Sequence, residues 1–215
     1  MLLSGGLDSA VLVAELIRSR RMVFPIYVTA GLIWEAEELK SVGKFLKQFR
    51  TPALQPLAVL ELPMRDILGQ SWSTTGRGTP GYSAPISSNY IVGRNLSLLA
   101  KAAVFCARNR VGEIAIATLK GNPFPDASAE FFQEFAKAAS IGLGMRLKVS
   151  APYNKLSKAR VVRRGRRLPL ELTLSCAMPV RGVHCGRCTK CAERQAAFRE
   201  AKISDPTRYA GKQNT

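Results

Sequence analysis

The sequence lacks any apolar run of about 18 residues, the length that a membrane-spanning helix requires, so we expect no membrane span. Its start has no basic region followed by an apolar core, so we expect no secretory signal and a cytoplasmic location. Histidine occurs only once in 215 residues, which gives little support for catalysis by a histidine base. Acidic residues are also scarce, with 15 Asp and Glu against 32 Lys and Arg.

The resulting net charge is +17. Such a charge favours a phosphate-bearing partner, which could be a nucleotide, tRNA or DNA. Basic residues are densest in "KARVVRRGRR" at 158–167, but they also occur elsewhere. Aromatic residues are not interleaved with them, as a single-strand binder would require. The alternative interpretation is a soluble basic surface from a GC-rich genome that favours arginine codons, with no nucleic acid bound.

Helical and strand-like patterns alternate along the chain about five times. The predicted strands are residues 1–3, 23–28, 57–62, 113–118 and 146–150, and the predicted helices are residues 7–18, 35–49, 95–108, 127–140 and 156–167. This alternation predicts an α/β fold with a parallel sheet and helices on both faces. Ligands of such folds bind beyond the carboxyl ends of the strands. Pro25 places the second strand at an edge or a bulge.

A long segment rich in Gly, Ser, Thr and Pro covers residues 69–90. Loops of this length in compact domains are usually functional or disordered. We therefore interpret this segment as a candidate active-site lid.

The stretch "LLSGGLDSA" at 2–10 places two glycines between the first strand and the first helix. Glycines there let backbone N–H groups approach an anion, and the helix N-terminus adds the positive end of its dipole. No lysine follows the second glycine, so this is not the phosphate loop of common NTPases. "SGGLDS" resembles the SGGxDS loop of the PP-loop ATP pyrophosphatases. The alternative is an ordinary Gly-Gly turn with a Ser or Asp helix cap.

Four of the five cysteines, Cys176, Cys185, Cys188 and Cys191, follow a C-x8-C-x2-C-x2-C spacing near the C-terminus. Four thiolates with two short spacings can close a tetrahedron around Zn²⁺. An iron–sulfur cluster and free thiols are the alternatives. Cys106 is interpreted as a small buried hydrophobe. We divide the chain into a nucleotide-binding α/β domain at 1–168 and a zinc-binding segment at 169–215.

The glycine loop and the cysteine spacing together resemble the 7-cyano-7-deazaguanine synthase family of the queuosine pathway. Further matching segments are "GRNLSLLAKAA" (93–103), "FPDASAEF" (124–131), "LSKARVVRRG" (156–165), "LSCAMP" (174–179), "HCGRCTKCAER" (184–194) and "DPTRYA" (205–210). The resemblance implies a ligase that uses ATP and ammonia to convert 7-carboxy-7-deazaguanine into the nitrile. The carboxylate is adenylated, ammonia displaces AMP to give an amide, and a second adenylation leads to dehydration.

The resemblance also implies roles for individual residues. The ATP phosphates are assigned to Ser4, Gly5, Gly6, Leu7, Asp8 and Ser9, with Asp8 also a candidate Mg²⁺ ligand. Arg94 and Asn95 match the family's GRN, and Arg94 would neutralise charge during adenylation. Lys158 is a second phosphate candidate, and Asp126 is placed near the substrate. As alternatives, Arg94 and Lys158 are solvated cations, and Asp126 caps the helix predicted from residue 127.

Two segments depart from the family pattern. Residues 28–38 read "VTAGLIWEAEE" where the family usually shows "DYGQRH", and Lys120 stands where an aspartate is expected. An acidic residue suits the N–H edge of a guanine-like ring, whereas a lysine does not. The alternative function is therefore a paralogue that modifies tRNA, DNA or a partner protein with a deazapurine-type group. A nucleotide-binding module without catalysis is the third hypothesis, and a homodimer is a working hypothesis for the assembly.

Overall fold

The computed structural model describes residues 1–210, so the last five residues of the predicted segment 169–215 lie outside the described part. Its helices are α1 (Leu7–Arg18), α2 (Glu35–Leu46), α3 (Arg65–Leu68), α4 (Trp72–Thr75), α5 (Arg94–Arg108), α6 (Ala129–Leu143), α7 (Lys158–Arg164) and α8 (Thr189–Ala201). Its strands are β1 (Ile26–Thr29), β2 (Ala58–Glu61), β3 (Glu113–Ala115) and β4 (Lys148–Ser150). No helix within residues 1–210 has the length and apolar character needed to cross a membrane.

Residues 1–3 lie at the centre of the sheet. Strand β1 pairs in parallel with β2, and β3 pairs in parallel with β4. The backbone N–H of Leu3 donates to the carbonyl oxygen of Ile26 at 2.9 Å, and that of Leu2 donates to Ala115 at 3.0 Å. The order is therefore β2, β1, residues 1–3, β3, β4, and the direction of winding reverses between residues 1–3 and β3. Such a reversal opens a crevice where ligands bind.

Both faces of the sheet are covered by helices, because successive strand residues point to opposite sides. Leu3 and Tyr27 join one core, which also contains apolar residues of α1, α2, α7 and α8. Leu2 and Ile26 join the other core, together with α5 and α6. The predicted α/β fold class is confirmed.

The prediction that Pro25 places its strand at an edge or a bulge is wrong. Strand β1 begins at Ile26 and lies between β2 and residues 1–3. Pro25 directly precedes the strand, where its missing N–H removes no ladder hydrogen bond. Its carbonyl oxygen accepts the backbone N–H of Ala58 at 2.9 Å.

Sequence patterning missed helix α8. Its buried positions include Cys191 and the fully buried Arg194, which break the apolar stripe that identifies a surface helix. Arg194 donates to Thr207 Oγ1 at 2.6 Å and to the Leu170 carbonyl oxygen at 2.8 Å. Helix α8 also packs against α7, where Arg163 Nη2 donates to the Glu200 carbonyl oxygen at 2.7 Å. The division of the chain at residue 168 stays a prediction.

Candidate functional site

The glycine loop connects residues 1–3 to α1. Gly5 has a φ of +75°, and a Cβ there would lie 3.2 Å from the Glu38 carbonyl oxygen. Only glycine combines this backbone conformation with such a close approach. Within residues 1–210, the N–H groups of Gly6, Asp8 and Ser9 have no hydrogen-bond acceptor. These are donors that a helix N-terminus offers to an anion.

Two residues of the predicted phosphate loop hold the loop itself in shape. The buried Ser9 accepts the backbone N–H of Ser4 at 3.2 Å and donates to the Gly6 carbonyl oxygen at 3.2 Å. The backbone N–H of Leu7 donates to Ser175 Oγ at 3.4 Å. Ser175 lies 168 positions further along the chain. The loop is therefore fixed both from within and by the C-terminal segment.

Two adjoining cavities open beside this loop. The larger has a volume of about 650 Å³ and lies beyond the carboxyl ends of residues 1–3 and β3. The smaller has a volume of about 170 Å³. Residues that line both are Ser4, Asp8, Glu38, Arg94, Asn95, Phe124, Lys158 and Lys190. Of the other predicted site residues, Ser9 lines the larger cavity, Gly6 and Asp126 line the smaller, and Gly5 and Leu7 line neither.

Buried polar atoms without a partner are concentrated at these cavities. Within the described residues they are Asp8 Oδ1, Asn89 Oδ1, Arg94 Nε and Thr118 Oγ1. All four residues line one or both cavities. A buried polar group left unsatisfied costs about 1–3 kcal/mol, so their concentration here indicates groups that face a ligand.

Lys158 connects two carboxylates across the site. Its Nζ lies 3.1 Å from Asp8 Oδ2 and 3.0 Å from Glu193 Oε1. Burial would lower the pKa of Lys158, but the two carboxylates outweigh burial and hold that pKa above its usual value. Burial would likewise raise the pKa of Glu193, yet Lys158 and Lys190 hold it at about 2. Lys158 and Glu193 therefore stay charged at neutral pH, and Lys158 is not a solvated cation.

The side chain of Asp126 lies against the N-terminus of α5, although the residue itself belongs to the segment that precedes α6. Its Oδ2 accepts the backbone N–H of Asn95 at 2.8 Å, and its Oδ1 accepts the Asn95 side-chain amide at 3.3 Å. The helix after residue 127 is capped instead by Ser128, whose Oγ accepts the N–H of Phe131 at 3.1 Å. The alternative that Asp126 caps that helix is wrong. Its placement near a substrate stays a prediction.

Sequence reasoning missed Glu38, on the buried side of α2. Its Oε2 accepts the Tyr27 hydroxyl at 2.9 Å. Burial raises the pKa of Glu38 to about 8, while Arg94 and the Tyr27 hydrogen bond act in the opposite direction. One signal could have found it. The buried stripe of α2 extends from Val42 back through Glu38 to Glu35, and carboxylates on a buried stripe are unusual.

The smaller cavity is bordered by two pairs of aromatic rings. The rings of Trp34 and Trp72 are stacked with centroids 5.5 Å apart, and those of Tyr90 and Phe124 are stacked at 5.1 Å. Aromatic faces of this kind suit a flat heterocyclic ligand. Asn89 adds an unpartnered carbonyl oxygen on the same cavity.

Part of the predicted lid, residues 69–90, lines both cavities. The segment is also attached to α8. The backbone N–H of Thr189 donates to the Pro80 carbonyl oxygen at 3.1 Å, and the Tyr82 hydroxyl donates to Gln195 Oε1 at 2.6 Å. Its role as a lid stays a prediction.

The four predicted cysteines converge in space. Their sulfur atoms all lie within 4.8 Å of one another, and Cys176, Cys185, Cys188 and Cys191 are all buried. Three sulfur–sulfur distances are 4.0, 3.9 and 3.5 Å. A tetrahedron of thiolates around Zn²⁺ places its sulfur atoms ~3.8 Å apart. The cluster could therefore hold a metal ion such as zinc. Cys106 is buried in α5 and does not belong to it.

His184 links the cysteine cluster to the glycine loop. Its Nε2 accepts the backbone N–H of Ser175 at 3.0 Å. The Oγ of Ser175 in turn accepts the backbone N–H of Leu7. Burial and the charge of Arg194 lower the pKa of His184 to about 3, so the ring is neutral at physiological pH. The only histidine thus serves to position Ser175.

Comparison with known proteins identifies the family. The family model described as "Queuosine biosynthesis protein QueC" matches residues 1–202. A 7-cyano-7-deazaguanine synthase from Stutzerimonas stutzeri is 33% identical over 97% of this chain and 96% of its own length. The corresponding protein from Methanoculleus marisnigri is 30% identical, again over 97% and 96%. One from Desulfotalea psychrophila is 27% identical over 97% of both chains. With its glycine loop, cysteine cluster and full-length similarity, the chain belongs to the QueC family of queuosine biosynthesis proteins.

Proposed function

We propose that this chain is an ATP-dependent carbon–nitrogen ligase that converts 7-carboxy-7-deazaguanine and ammonia into 7-cyano-7-deazaguanine. The observation that carries the proposal is the placement of the partnerless buried atoms of Asp8, Arg94 and Asn89. These atoms border two adjoining cavities at the glycine loop. The names of the relatives supply the substrate class.

The larger cavity fits ATP and Mg²⁺. The free N–H groups of Gly6, Asp8 and Ser9 would bind phosphate oxygens, and Arg94, Lys158 and Lys190 would balance their charge. Asp8 Oδ1 is a free carboxylate oxygen, the ligand type that Mg²⁺ prefers. Bound ATP supplies AMP as the leaving group that a free carboxylate lacks. In this arrangement Arg94 stabilises the negative charge that develops when the carboxylate oxygen attacks the α-phosphorus.

The smaller cavity fits the deazapurine ring. The aromatic pairs would cover its faces, and Asn89 Oδ1 would accept an N–H of the ring. Arg94, Asp8 and Lys158 line both cavities, so a ring carboxylate in the smaller cavity would meet the nucleotide at this boundary. Proximity of the two reactants is itself a large part of catalysis.

The four cysteines would hold Zn²⁺ as a structural ion. All four side chains are committed to the cluster, which leaves no open position for a substrate. The close spacing of all four sulfur atoms favours one ion over an iron–sulfur cluster, whose four thiolates are distributed over two or four iron atoms.

The test is incubation of the purified chain with ATP, Mg²⁺, ammonia and 7-carboxy-7-deazaguanine. We expect AMP and the nitrile, identified by mass spectrometry, with AMP release dependent on the acid. Failure to release AMP in the presence of the acid would contradict the proposal. ATP that binds without ever being cleaved would favour a nucleotide-binding module instead.

A second candidate is a paralogue that transfers a deazapurine-type group to tRNA, DNA or a protein. The observation that favours it is Lys120, an exposed cation on the larger cavity, where the family resemblance places an aspartate. The basic segment 158–167 gives it less support, since Lys158 points inward and Arg163 binds carbonyl oxygens of α8. Retention on RNA or DNA at about 0.1 M salt would support the nucleic-acid version.

A further inference from the structure

We propose that Glu38 is the base that accepts a proton from the ammonia-derived nitrogen when the amide forms. This inference rests on the proposed function and adds a catalytic residue to it. Glu38 is 92% buried, since only 8% of its surface is exposed, and it lines both cavities. A carboxylate at this boundary lies where the activated acid and the nucleophile would meet.

The carboxylate of Glu38 has a hydrogen-bond partner at one oxygen and, among the described residues, none at the other. Oε2 accepts the Tyr27 hydroxyl at 2.9 Å, whereas Oε1 has no hydrogen-bond partner within residues 1–210. Glu35, the neighbouring acid on α2, is used differently, because its two oxygens accept the backbone N–H groups of Ala30 and Gly31 at 2.7 and 2.9 Å. Glu38 is thus the acid of this helix that keeps an oxygen available to the cavity.

The charged and titratable groups around Glu38 come from four elements. Tyr27 lies on β1, Glu35 on α2, Arg94 on α5 and Lys190 on α8. Burial raises the pKa of Glu38 to about 8, although Arg94 and Tyr27 act to lower it. A group that exchanges protons near neutral pH is suited to general base catalysis.

The chemistry of the step requires a proton acceptor. The nitrogen lone pair attacks the acyl carbon of the adenylate, and a C–N bond forms. The C–O bond to AMP breaks, and its electron pair leaves with the phosphate oxygen. The nitrogen then carries one proton too many, and Glu38 Oε1 takes it. The products are the amide, AMP and a protonated Glu38, which returns its proton to water.

The test separates this step from adenylation. In the wild-type chain we expect ATP–pyrophosphate exchange that depends on 7-carboxy-7-deazaguanine, and amide and nitrile formation with ammonia. Glu38→Gln should keep the exchange but slow the ammonia-dependent step by about 100-fold. Hydroxylamine should still give hydroxamate with this variant, because its nitrogen is a much weaker base than ammonia and loses the extra proton to water after attack without a protein base. Glu37→Gln is the matched control, because Glu37 lies on the same helix and pairs with Lys40.

Either of two results would overturn the inference. One is a Glu38→Gln variant that forms the nitrile at the wild-type rate. The other is a parallel loss of exchange, hydroxamate and nitrile, which would make Glu38 a positioning residue. If the glutamine variant does not fold, Glu38→Asp, which keeps the acid, should retain exchange and slow amide formation. A wild-type chain without acid-dependent exchange would overturn the proposed function, and this inference with it.

Discussion

The backbone N–H of Leu174 donates to the carbonyl oxygen of Gly5 at 2.8 Å. This hydrogen bond joins the glycine loop to the segment that leads into Cys176, the first cysteine of the cluster. The N–H of Leu7, which donates to Ser175 Oγ, forms a second connection beside it. The candidate metal centre and the candidate nucleotide site are therefore adjacent parts of one structure, although they lie at opposite ends of the chain.

Removal of the metal should weaken nucleotide binding through this connection. We expect one zinc per chain by elemental analysis and its loss in Cys191→Ala. Because a structural zinc site contributes several kcal/mol, the variant should unfold at a lower temperature and bind ATP more weakly. Cys106→Ala is the control, since Cys106 lies in α5 away from the cluster, and it should keep the zinc. Unchanged ATP affinity in a folded, metal-free protein would contradict the coupling.

Gly5→Ala should destabilise the chain by about 1–3 kcal/mol, because an L-residue is strained at its positive φ. The added Cβ would also lie 3.3 Å from Val42 Cγ2 and 3.2 Å from the Glu38 carbonyl oxygen. Gly43→Ala is the matched control. Gly43 lies within α2 with no atom near the added Cβ, so this change should stabilise the helix by up to about 1 kcal/mol. Thermal unfolding of both variants gives the comparison, and equal effects would refute the argument.

Arg94→Gln should reduce acid-dependent AMP release by about 100-fold, the usual effect of removing a group that stabilises transition-state charge. Arg94 forms no salt bridge within the described residues and has an unpartnered Nε, so stability should change little. Arg108→Gln, at the exposed end of the same helix, should leave the rate unchanged. Steady-state assays of AMP release measure both, and a fully active Arg94→Gln enzyme would remove this residue from the mechanism.

Stability should depend on pH through Glu38. Its pKa of about 8 in the folded chain lies above the ordinary value of 4.5, so the folded state binds more protons between these values. The contribution of Glu38 to stability is therefore most favourable below pH 4.5 and is lost as the pH rises through about 8. The loss is on the order of 5 kcal/mol. Denaturant unfolding across this range should show Glu38→Gln gaining stability relative to wild type as pH rises, while Glu37→Gln should follow wild type.

The spacing of apolar residues correctly predicted secondary-structure elements whose ends are set by residues close to them in the sequence. Helix α1 begins at Leu7 and ends at Arg18 as expected, because apolar spacing and the preceding glycines define both ends. Helix α8 was missed, because Cys191 and Arg194 occupy buried positions that apolar residues usually fill. Those side chains are satisfied by partners far along the chain, which no window of sequence reveals.

By itself, the sequence determined the family, the glycine loop, the four-cysteine set and the alternation of strands and helices, since each is a matter of residue type and spacing. The tertiary structure alone decided that Lys158 joins Asp8 to Glu193, that Asp126 caps α5, and that Glu38 lies at the boundary of two cavities. The physical reason is that these contacts follow from the strand order around residues 1–3. That order brings distant segments to one edge of the sheet, and hydrophobic spacing specifies which face is buried but not which distant residue lies against it.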